Sequence, residues 1–123
     1  MKIVSTIARF LLALIFTVFG LNGFLNFIPP TPMPLGALQF VGALVQSHYM
    51  IVVFVLETAC GLLLLANRYV PLALALLAPV IVNIVLFHLS MAPAGLPVAL
   101  FVSLLWMVLA YNVRFAFSGL FRQ

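Results

Sequence analysis

Residues Tyr49–Arg68 read YMIVVFVLETACGLLLLANR. Apart from Glu57, no charged residue interrupts the run between Met50 and Ala66. At about 1.5 Å per residue, an apolar run of this length matches a bilayer hydrocarbon core about 30 Å thick. The stretch therefore reads as a membrane-spanning helix. Glu57 is also the single acidic residue of the 123-residue chain. A carboxyl group inside such a helix is expensive to bury, which makes Glu57 a functional-site candidate by default.

The whole composition points the same way. Hydrophobic residues make up 67% of the chain and charged residues only 5%, against the roughly 25% charged content of a soluble domain. The expected class is an all-α integral membrane protein in one domain. The net charge of +4 is no nucleic-acid footprint. Lys2, Arg9, Arg68, Arg114 and Arg122 are spread over the ends of apolar runs, and a nucleic-acid partner is excluded. The single cysteine, Cys60, has no partner for an internal disulfide, which removes thiol–disulfide relay chemistry within the chain.

Upstream of the opening stretch, the apolar run FLLALIFTVFGL follows Lys2 and Arg9. It continues through Phe24 to Ile28 with no small-x-small cleavage site after it, so a span over about residues 7–27 is expected instead of a signal peptide. Pro29–Pro34 (PPTPMP) cannot continue a helix, because proline lacks the N–H and clashes with the preceding turn. Residues 37–47 would make a helix about 16 Å long, too short to cross, and are expected as a short interfacial helix. The Tyr49 span covers about residues 49–67. Gly61, one turn beyond Glu57, is a place where a neighbouring helix can approach closely.

Downstream, Pro71 suits the first turn of a third span over about residues 70–89. Pro79 falls inside that span, frees the carbonyl of Ala75 and predicts a kink. After the uncharged SMAPAGLP connection, a fourth span is expected over about residues 96–113. With four spans, all five basic residues fall on one side of the membrane. The positive-inside rule then predicts both termini in the cytoplasm, N-in and C-in.

This topology predicts where the polar residues lie. Glu57, Asn22 and Asn83 are each expected about 8–12 Å below the outer end of their spans, with Asn26, His48 and His88 near the rim. Desolvation disfavours a charged carboxylate there, so Glu57 is expected as a neutral acid hydrogen-bonded to amides. Glu57, Asn22, Asn26, Asn83 and His88 are the candidate ligand-binding residues. The plainer reading makes the asparagines interhelical hydrogen-bonding residues that hold a small bundle together, at below about 1 kcal/mol each. Cys60 and Trp106 read as packing residues. His48 and His88 invite a haem reading, but nothing in their spacing selects it. No metal-ligand pair, phosphate loop or nucleophile elbow is present, so no catalytic residue or metal site is assigned.

Three segments carry a resemblance: RFLLALIFTVFGLNGFLNF ending at Phe27, VVFVLETACGLLLLANRYVPLAL from Val52, and APVIVNIVLFHLSMAPAGLP from Ala78. With their E-x-x-x-G-L-L-L core and N-x-x-x-x-H ending, they resemble the DoxX-like family of small four-helix membrane proteins, found mainly in bacteria. The resemblance implies a four-helix bundle in the inner (cytoplasmic) membrane. It also implies an accessory subunit, non-catalytic on its own, that works beside a redox partner subunit and binds a lipophilic ligand such as a quinone. Glu57, Gly61, Asn83 and His88 match the recurrent positions. Two other classes stand beside it: a small proton-coupled transporter or channel with Glu57 as its site, which would need a homo-oligomer to enclose a lumen, and a purely structural or assembly protein.

Overall fold

The computed structural model describes residues 2–27 and 32–121, and it is helical throughout. The start of the proline-rich connection (Pro29, Pro30) and Arg122 lie outside the described residues. The five α-helices are α1 (Lys2–Leu25), α2 (Leu35–Gln46), α3 (Tyr49–Ala66), α4 (Val70–Ser90) and α5 (Leu96–Asn112). A 3-10 turn at Pro93–Gly95 leads into α5, and 3-10 geometry continues from Arg114 to Phe121. Four of the helices are long and apolar enough to cross a membrane, and α2 is the short one. The expected boundaries hold within two residues except at the start of α1. That helix begins at Lys2, because nothing between Lys2 and Ile7 breaks a helix.

The long helices pack in a ring. α1 lies against α3 and α5, and α4 lies against the same two. Leu12, Ala13 and Phe16 of α1, Cys60 and Leu64 of α3, Leu74 and Leu77 of α4, and Leu105 and Leu109 of α5 fill the centre. The outer faces are as apolar as the centre: Val52, Val55 and Leu62 on α3, and Leu100, Phe101 and Leu104 on α5, are exposed. In water such surfaces would aggregate, whereas lipid tails cover them at no cost.

α1 and α3 make the closest pair, and a shared local pattern explains it. Thr17-Val18-Phe19-Gly20 on α1 and Thr58-Ala59-Cys60-Gly61 on α3 have the same spacing. The two helices run antiparallel, so Gly20 meets Thr58 while Gly61 meets Thr17. A Cβ on either glycine would stand 2.7 Å from the backbone nitrogen of the facing threonine. Each threonine hydroxyl occupies the space that Cβ would take. The Oγ1 atoms of Thr17 and Thr58 are buried there without a hydrogen-bond partner, in the position where a Cα–H···O contact forms across a helix crossing.

The end of α3 is closed by backbone and side chain together. Asn67 takes left-handed geometry (φ 56°), and its N–H donates to the Leu64 carbonyl while the Arg68 N–H donates to that of Leu63. This is a Schellman ending with asparagine in place of the usual glycine. Arg9 of α1 adds its Nη1 to the Leu64 carbonyl at 2.6 Å and to that of Leu65 at 3.3 Å. A cation at a helix C-terminus also meets the negative end of the helix dipole.

Candidate functional site

Glu57 is 8% exposed, on the inward stripe of α3 with Cys60, Gly61 and Leu64. Its environment is not the expected cluster of amides: among the described residues, no hydrogen bond or ion pair reaches the Glu57 carboxyl. Asn83 and Asn26 are instead engaged by their own helices. Asn83 is exposed and its Nδ2 donates to the Pro79 carbonyl one turn back at 2.8 Å. Asn26 is exposed in left-handed geometry (φ 52°), where its N–H closes the end of α1 on the Asn22 carbonyl. Asn22 is half-buried. Four residues apart, Asn22 and Asn26 would share a face only if the helix continued; it stops at Leu25.

The histidines lie on different elements. His48 is exposed with φ 61° at the start of α3. His88 is half-buried near the end of α4, its Nδ1 3.1 Å from the Ala92 carbonyl and its ring edge-on to Phe87. Gly95 lies so close to that ring that a Cβ would overlap it. His88 thus fastens the α4–α5 connection. Among the described residues, no group of three metal-ligating side chains forms.

A concavity lies where sequence reasoning did not look. Between α4 and α5 is an open groove of about 410 Å³. Val82, Val85 and Leu86 form one wall, with Ser103, Trp106 and Met107 opposite. Its polar atoms are committed: Trp106 Nε1 donates to the Leu74 carbonyl at 2.9 Å, and Ser103 Oγ donates to the Ala99 carbonyl at 2.9 Å. The groove fits a hydrocarbon chain. It does not fit a quinone ring, whose carbonyls would need donors that both side chains have already spent on backbone.

The sequence reading missed the Thr17, Gly20 and Thr58 contacts, though the repeated T-x-x-G spacing was a signal in plain view. It had no signal for the groove, because a groove depends on how two helices lie against each other. Compared with known protein families, curated proteins and solved structures, the chain finds no match.

Proposed function

We propose that this chain is a multi-pass membrane protein that holds a lipophilic molecule by its hydrocarbon chain in the α4–α5 groove, and that it serves as a non-catalytic accessory subunit beside a membrane redox partner. The observation that carries the binding part is the groove itself, apolar, open and large enough for a segment of alkyl or isoprenoid chain. The redox part rests on the resemblance of the Glu57–Gly61 and Asn83–His88 motifs to the DoxX-like family. In this reading the chain is N-in and C-in in the inner membrane, with Arg9, Arg68 and Arg114 at the cytoplasmic ends. The test is native mass spectrometry of gently extracted protein, with an absorbance spectrum of the same sample. A bound lipophile should be lost when Val82→Trp fills the groove. Wild type carrying no such mass, or a variant that keeps it, overturns the binding reading.

One observation favours a second reading. Glu57, a carboxylic acid on the inward stripe of an apolar helix, is placed to take up and release a proton, as in proton-coupled transport. Proteoliposome flux that disappears in Glu57→Ala would establish it. Equal flux in both would remove it.

A further inference from the structure

We infer that the chain forms a two-fold symmetric dimer through the exposed face of α4, with Asn83 paired to Asn83 of a second copy. The inference rests on α4 spanning the membrane, not on the ligand reading. Asn83 lies seven residues before the end of α4 at Ser90, about 10 Å along the helix axis and inside the hydrocarbon layer. It is exposed on the side of α4 turned away from the bundle, together with Leu72, Leu76, Pro79, Val82 and Leu86. Lipid tails cannot hydrogen-bond, so an amide facing them is left unpaired.

The chemistry selects the partner. One N–H of Asn83 is held by the Pro79 carbonyl. That leaves one N–H and the Oδ1, a donor and an acceptor, which is what two amides need to pair with each other. All copies insert in one orientation, so the two-fold axis lies along the membrane normal and each residue keeps its own depth. The polar point on this face therefore meets its own counterpart. The remaining exposed side chains of the face are apolar and uncharged, so an ionic partner finds nothing to bind. Val82 and Leu86 belong both to this face and to the wall of the α4–α5 groove. The second copy would therefore stand at the mouth of the groove and complete it.

The test uses the full chain reconstituted in phosphatidylcholine liposomes. Dimerisation is read by energy transfer between donor- and acceptor-labelled copies as lipid dilutes them. Wild type should be dimeric, Asn83→Leu should weaken association about tenfold, and Asn83→Gln, which keeps donor and acceptor, should restore much of it. In a Cys60→Ala background that keeps Asn83, Leu86→Cys on the same face should form an intermolecular disulfide under mild oxidation, whereas Leu104→Cys on the exposed face of α5 should not. A monomeric wild type, equal association of Asn83→Leu, or cross-linking at Leu104 in place of Leu86 overturns the proposal. A dimeric wild type that carries no lipophile would sink the ligand reading alone. A lipophile bound to a monomer would sink the dimer alone.

Discussion

Thr17 and Gly61 face each other so closely that a Cβ on the glycine would stand 2.7 Å from the Thr17 backbone nitrogen and 3.1 Å from the Ala13 carbonyl oxygen. These are backbone atoms and cannot rotate aside. Gly61→Leu should therefore push α1 from α3 and cost about 1–3 kcal/mol or more of stability, the range for overpacking. Gly36 and Gly42 on α2 have nothing within 4 Å of an added Cβ. Gly36→Ala and Gly42→Ala should be neutral or stabilising by up to about 1 kcal/mol through helix propensity. Unfolding in mixed micelles with increasing dodecyl sulfate would show the contrast.

Arg9 and Leu64 tie the first span to the end of the second. Removing the guanidinium in Arg9→Leu leaves the Leu64 and Leu65 carbonyls short of a charged donor and should cost about 1–2 kcal/mol. Arg9→Lys keeps the charge but loses the fork, so it should fall between. The same unfolding titration checks the order.

Glu57 should behave in the opposite sense. Glu57 is 8% exposed, and no hydrogen bond reaches its carboxyl among the described residues. Exchanging it for an apolar side chain removes an unsatisfied group that costs about 1–3 kcal/mol. Glu57→Leu should therefore unfold later than wild type while abolishing any proton-coupled activity. A variant less stable than wild type would mean that the carboxyl has a partner.

How much of this was legible in the sequence depends on whether the information was local. The four long apolar helices were readable because apolar length and proline placement are properties of single segments. Gly61 was readable as a point of close approach, since a missing side chain is visible in the sequence. The polar cluster was not: depth along a helix can be computed from residue number, but facing depends on rotation and packing. Asn83 lies at the expected distance along its helix, yet it points outward and bonds to Pro79. A short polar side chain in a helix reaches the carbonyl four residues back on its own helix, as Ser103 does to Ala99.

Trp106 carries a hydrogen bond between helices, from its indole to the Leu74 carbonyl of α4. Trp106→Phe keeps the ring but leaves Leu74 without that donor, and should cost about 1 kcal/mol. It should also loosen the groove, so that a lipophile held there as proposed exchanges faster in a competition assay against unlabelled lipid.

That same indole gives the groove a built-in optical label. Trp106 is the only tryptophan in the chain, and it lines the groove wall. All indole emission from the purified protein therefore originates at one address. A chain that enters the groove, a brominated lipid that quenches from within it, or a second copy that closes over it would each register as a change in a single unmodified fluorophore.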